Sequence, residues 1–113
     1  STFIPHITEE EHVPSIKNIL PDFAESAKGA TRKGHQAYIV MSFCRNLYAI
    51  KHGKQVSKVA GAKWAAGQYP QWSEFINEAA SWRGSQDQSD NLDTQKTTIE
   101  FAQFVMDASE KVQ

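Results

Sequence analysis

The sequence predicts an all-α fold, an irregular bundle of about five helices formed by residues 1–113 as a single helical domain. Three observations lead there. Apolar residues recur at helical spacing in several separate segments. No stretch alternates with period two over enough residues to argue for a sheet. Serine, asparagine, glycine and proline stand where helices would start and stop.

The first helix is expected near Thr8, where Thr8 and Glu11 have the capping-box spacing and Glu9, Glu10 and Glu11 suit the positive end of a helix dipole. Pro14 and Pro21 each remove an N–H and crowd the preceding turn, which predicts a region kinked or split in two, with Ile16, Ile19, Leu20 and Phe23 on its buried face. Gly29 and Gly34 mark a turn-rich link, and a long helix follows from about His35 to His52. Its apolar residues cover most of the circumference in the first half, so it is predicted to be the central element. Gly53 fits the left-handed position just past its end.

Ser57 is a natural N-cap for a third helix running to about Ala66, thin with alanine and glycine and anchored by Val59 and Trp64. Pro70 suits the first turn of a fourth helix ending near Arg83–Gly84, with Trp72, Phe75, Ile76, Ala79 and Trp82 inward. Residues 83–93 are polar and turn-prone, a loop. The last helix begins near Asn91 and carries Leu92, Ile99, Phe101, Ala102, Phe104, Val105 and Met106.

Composition narrows the function classes. Apolar residues make up 40% of the 113, enough for a core at this length. The net charge of −1 gives no bulk electrostatic case for a nucleic-acid partner. No apolar run approaches the ~18 residues of a membrane span, and the N-terminal stretch has no signal-peptide pattern, so a cytoplasmic domain is expected. The single cysteine, Cys44, allows neither an intrachain disulfide nor a cysteine-based zinc site and reads as a buried, inert thiol. His6, His12, His35 and His52 form no ligand spacing, so no metal site is expected, and no catalytic signature is present. The three tryptophans, Trp64, Trp72 and Trp82, read as core.

Two cations stand out. Arg45 lies within a largely apolar helix, where a charge is expensive to bury alone. It is expected to pair with a carboxylate from another helix, the other reading being a cation that faces a ligand. Lys58 follows the cap Ser57 in the first turn, where free N–H groups and a partial positive charge favour phosphate or carboxylate and a lysine opposes the helix itself. From spacing alone, a solvated lysine is the plainer reading.

The segment CRNLYAIKHGKQVSKVAGAKWA, continued by YPQWSEFINEAASW, resembles the C-terminal helical domain of the aminoglycoside adenylyltransferases that modify streptomycin and spectinomycin. The resemblance rests on Arg45, Leu47, Tyr48, Gly53, Ser57, Lys58, Ala62, Trp64, Ala65, Pro70, Trp72 and Ile76, and it covers about residues 35–83. It implies a helical domain that closes the cleft of an N-terminal nucleotidyltransferase domain and contacts both substrates. There the lysine matching Lys58 reaches the ATP phosphates, so Ser57 and Lys58 become nucleotide-binding candidates and His35 and Gln36, at the start of the central helix, substrate-binding candidates. The implied reaction is attack of an aminoglycoside hydroxyl on the α-phosphorus of ATP, helped by positioning and by charge stabilisation from magnesium and lysine. No Gly-Ser followed by Asp-x-Asp occurs in these residues, so catalytic residues are not expected here. ATP and magnesium are expected only together with a catalytic domain or subunit. The family has acidic residues before its central helix, whereas this chain has Arg32, Lys33, His35 and Gln36, a basic stretch that repels a polycation and suits an anion. The other reading is a stand-alone binding or interaction module, acting through a partner or as a homodimer, that has kept the fold and lost the chemistry. A third reading makes the cations an ordinary solvated face.

Overall fold

A computed structural model describes the backbone of residues 9–111 and the side chains from Lys17 to Lys111. Five helices run in order: α1 (Glu9–Ala27), α2 (Lys33–His52), α3 (Lys58–Gln68), α4 (Pro70–Ser81) and α5 (Leu92–Glu110). The fold is all-α, and no strand occurs among the described residues. The proposed cap at Thr8 lies outside the described residues.

α2 packs against each of the other four helices. Ile39, Val40, Phe43 and Leu47 are fully or almost fully buried along it, and they meet Leu20 of α1, Ile76 of α4 and Phe101 and Val105 of α5 in one core. Burial on nearly every side explains why its apolar residues take up most of the circumference.

The local stop and start chemistry works as the sequence predicts. Gly53 ends α2 at φ 71°, and its N–H donates to the Ala49 carbonyl at 2.8 Å. Ser57 caps α3 by accepting from the Ala60 N–H at 3.1 Å. Pro70 stands in the first turn of α4. Asn91 caps α5 by accepting from the Thr94 N–H at 3.0 Å.

Three expectations are corrected. Of the two outcomes expected of Pro14 and Pro21, a kink or a split, the split does not occur, and α1 is one helix through both. Each proline removes a backbone bond, but burial of Leu20 and Ala27, with Phe23 against the α2 rings, holds the helix together around them. α2 starts at Lys33, two residues before His35, because extended Arg32 takes the N-cap position and its carbonyl accepts from the Gln36 N–H at 3.0 Å. Gly34 is then helical, and a Cβ there would make a tight contact, 3.3 Å from the Ser85 carbonyl oxygen. Ile19, expected on the buried face of α1, and Val59, expected to anchor α3, are exposed, at 42% and 44%.

α2 crosses α3 at very close range. A Cβ placed on Gly61 would fall 2.7 Å from the Arg45 Cα and 2.9 Å from its backbone nitrogen. Ala62 and Ala65, both buried on α3, keep that helix thin over the same contact. Only a hydrogen atom fits between the two backbones at position 61. Beyond the crossing, Trp64 packs edge-on to Tyr48 at 5.3 Å and to Tyr69 at 5.9 Å. The rings continue through Phe104, Trp72 and Phe75 to Trp82.

A polar clamp fixes the opposite end of α2. Gln36, fully buried, donates from Nε2 to the Ala30 carbonyl at 2.9 Å and to the Asn91 carbonyl at 3.2 Å, while its Oε1 accepts from the Thr94 hydroxyl. The Asn91 N–H donates to the Thr31 carbonyl at 2.7 Å. The connection before α2 and the start of α5 are thus tied through one side chain.

Two stability predictions follow from these contacts. Gly61→Ala should destabilise the fold by about 1–3 kcal/mol in urea unfolding, because the methyl meets backbone atoms that cannot rotate away, even though alanine is the better helix former. Gln36→Leu, similar in size, should cost about 1–3 kcal/mol in the same measurement, since it strands the buried Ala30 carbonyl and takes one partner each from the Asn91 carbonyl and the Thr94 hydroxyl, which keep their bonds to the Gln95 N–H and to each other.

Candidate functional site

The α2–α3 crossing carries Arg45 and Lys58 on adjoining helix turns, and the positive charge of Arg83, beyond the end of α4, acts on Lys58 as well. Arg45 leaves α2 beside Gly61 and is half-buried. Lys58, also half-buried, leaves the first turn of α3. Arg83 follows the end of α4 and is exposed. Burial first, and then the positive charges of Arg45 and Arg83, push the Lys58 ammonium below its ordinary value of 10.5. The Tyr38 ring on α2 works the other way, since the Lys58 Nζ lies 3.9 Å from its centroid, a distance at which the negative face of the ring attracts a cation.

Among the described residues no carboxylate lies within ion-pair distance of Arg45, Lys58 or Arg83, whereas Lys28 pairs with Glu25 at 3.3 Å. The expectation that Arg45 pairs with a carboxylate from another helix is therefore overturned. Half-burial leaves its guanidinium in contact with water, so the full cost of an isolated buried charge does not arise. Arg45 and Lys58 are accordingly like charges carried by two helices whose backbones are packed together at Gly61.

Ser57 and Lys58, predicted together as a phosphate-facing helix start, do stand together. The Ser57 hydroxyl is occupied with the Ala60 N–H, and the Ser57 carbonyl accepts from the Gly61 N–H at 2.8 Å. The first N–H groups of α3 stand outside the helical ladder. His35 and Gln36 are separated by the helix that carries both. His35 is exposed and lines a surface cavity of about 320 Å³ with Gly29, Thr31 and Arg32. Gln36 points inward, with its amide bonded to the Ala30 and Asn91 carbonyls and the Thr94 hydroxyl, and holds the loop that shapes that cavity. Arg32 donates to the Gln88 side chain across the cavity's outer edge.

Arg83 and Tyr38 were not among the site residues read from the sequence. Arg83 lies 25 residues beyond Lys58, and no local signal joins them. Tyr38 follows helical spacing from Arg45, seven positions and two turns away on the same face, and its 49% exposure is the part that periodicity does not reveal.

The remaining reactive groups point elsewhere. Cys44 is fully buried, and burial pushes its thiol up to about 12, so thiolate chemistry is closed to it. His52 is exposed, with its ring tilted at 36° against Tyr48 and the centroids 4.3 Å apart. His6 and the His12 side chain lie outside the described residues. Among the described residues no three His, Cys, Asp or Glu side chains gather into a metal site, and no helix is long and apolar enough to cross a membrane.

A family model for the C-terminal domain of aminoglycoside adenylyltransferase matches residues 2–108. No curated protein and no solved structure matches the chain. The family match reaches well beyond residues 35–83, where the quoted motifs lie, and takes in α1 and nearly all of α5. With five helices in the described bundle and the family's pattern across almost its whole length, the chain belongs to the family of aminoglycoside adenylyltransferase C-terminal domains.

Proposed function

We propose that this domain binds the phosphates of a nucleotide through Arg45, Lys58 and Arg83, at the capped start of α3, and serves an adenylyltransferase reaction whose catalytic carboxylates come from another domain or subunit. The observation that carries this reading is the convergence of three cations with no carboxylate paired to them. Such an arrangement costs the folded protein electrostatic energy and is relieved by an anionic ligand. Ser57 contributes by capping, which fixes the direction in which the first N–H groups of α3 point. The group fits a polyphosphate: each cation supplies charge and N–H donors to phosphate oxygen, and the guanidinium of Arg45 or Arg83 adds a planar fork.

ATP with magnesium is the ligand that family membership suggests. Bound to a catalytic domain, magnesium would supply charge neutralisation at the phosphates. In this chain the three cations would orient the phosphate chain and hold its charge, with no proton transfer assigned to them. His35, beside the cavity with Arg32, is the proposed contact for the second substrate, and Gln36 supports it through the loop. A cytoplasmic setting, where ATP is abundant, suits this reading, as does a role in antibiotic resistance.

The basic character of the cavity favours a second reading, a binding module that has lost the transferase chemistry. Arg32 and His35 line the cavity, and no acidic residue lines it. A polycationic aminoglycoside would meet repulsion there, and an anionic partner would not.

The test is a thermal-shift series with ATP, inorganic triphosphate, streptomycin and spectinomycin, each with and without magnesium. At ten times its Kd a ligand adds about 1.4 kcal/mol, which is several degrees for a domain of this size. Triphosphate and ATP should raise the Tm of the wild type, and Lys58→Met should remove most of that rise. No shift with millimolar triphosphate would end the phosphate reading, and a shift with the antibiotics alone would reverse the charge argument.

Lys58 also makes a pH prediction. Its ammonium is harder to keep charged in the folded protein than in the unfolded chain, so its charge opposes folding near neutral pH. That penalty disappears as pH rises from the lowered folded value towards 10.5. The stability of the wild type relative to Lys58→Met should therefore increase over that window in urea unfolding, and a flat difference would contradict the lowering of the Lys58 ammonium by burial and its neighbouring charges.

A further inference from the structure

Lys58 has a difficulty that its neighbours create. Arg45 and Arg83 repel it, no carboxylate pairs with it, and its four-carbon stem loses freedom wherever it is held. Left to these terms, the ammonium would swing into solvent. Instead it stands 3.9 Å from the centroid of the Tyr38 ring. That ring is itself held on one side. Phe23 of α1 lies 6.3 Å away at 44°, and Phe23 in turn leans on buried Phe43 at 5.9 Å. With 49% exposure, Tyr38 has one edge in the core and one face open, and the open face carries the lysine.

We propose that Tyr38 is a positioning residue for the anion site, its ring holding the Lys58 ammonium beside Arg45 while leaving its charge unneutralised. This rests on the phosphate-binding reading and adds a requirement to it. A carboxylate in the same place would hold the lysine more strongly but would cancel the charge that a phosphate needs. An aromatic face gives a direction and a weak attraction, and its quadrupole leaves the net charge of the site at its full value. The phenol hydroxyl takes no part in this, so the ring and not the oxygen is the functional element.

The experiment uses the whole 113-residue chain as wild type, Tyr38→Phe and Tyr38→Leu. In the free proteins, the Lys58 side-chain Hε and Cε signals are recorded by NMR in lysine-labelled samples. A methylene next to an ammonium that sits over a ring face is shifted upfield by the ring current. The wild type and Tyr38→Phe should show that shift, and Tyr38→Leu should not. In the second arm, inorganic triphosphate is titrated calorimetrically. Tyr38→Phe should bind within a factor of two of the wild type. Tyr38→Leu should bind about two- to fivefold more weakly, the worth of one exposed cation–π contact. Circular dichroism confirms that each variant is folded, which is expected because position 38 is half open to solvent.

A Lys58 signal unshifted in the wild type, or equally shifted in Tyr38→Leu, overturns the proposal whatever the binding data. Equal affinities for wild type and Tyr38→Leu overturn it while leaving the phosphate reading intact. A wild type that binds no triphosphate removes the phosphate reading and, with it, the functional part of this proposal, even if the ring-current shift is present.

Discussion

Everything on the basic side of this bundle depends on how closely two backbones approach at Gly61 and Arg45. A Cβ at position 61 would stand 2.7 Å from the Arg45 Cα, so the helices touch through a hydrogen atom. Ordinary helix pairs are separated by their side chains at 8–10 Å between axes. Here the side chains next to the contact must leave sideways, and the start of α3 is carried against the flank of α2. The cost of gathering Arg45, Lys58 and Arg83 is met by packing that those charges do not themselves make. A group of like charges that nothing else explains becomes reasonable once the helices beneath it are seen to be fastened independently.

How much of this could be read from the sequence depends on whether the governing interaction is local. Gly53, Ser57, Pro70 and Asn91 each act on backbone groups within four residues, and each stands at the helix end that its chemistry suggests. The central position of α2 was legible because burial on several sides leaves its mark on one continuous segment. The prolines of α1 misled because the local cost of a missing N–H is real but is outweighed by burial against residues far away in the chain. Val59 misled because a short, alanine-rich helix has no strong periodicity from which to tell its inner face.

The candidate site divides in the same way. Ser57 and Lys58 are neighbours, and their placement at a helix start follows from capping alone. Arg83 reaches the group through the path of α4, which no spacing rule records. For Arg45 the sequence argument weighed the cost of burying a charge and expected a counter-ion, whereas half-burial leaves the charge to water and removes the need for one. His35 and Gln36 are adjacent in sequence yet face opposite ways, since one residue step turns a helix by about 100°. One became a surface residue beside a cavity and the other a buried clamp, a distinction that composition cannot make.

The segment from Arg83 to Asp90 is exposed along its whole length, and its ends are secured separately. Gly84 turns the chain at φ 77°, and Asn91 is held by the Thr31 carbonyl and by its own capping of α5. Between these anchors the segment is organised by short-range bonds of its own, such as the Ser89 N–H to Asp87 at 2.8 Å. Lengthening such a span costs little, because closure entropy grows only with the logarithm of its size. Natural variants of this domain can therefore be expected to accumulate insertions and deletions here, at the rim of the Arg32 and His35 cavity, reshaping what enters it without disturbing the bundle underneath.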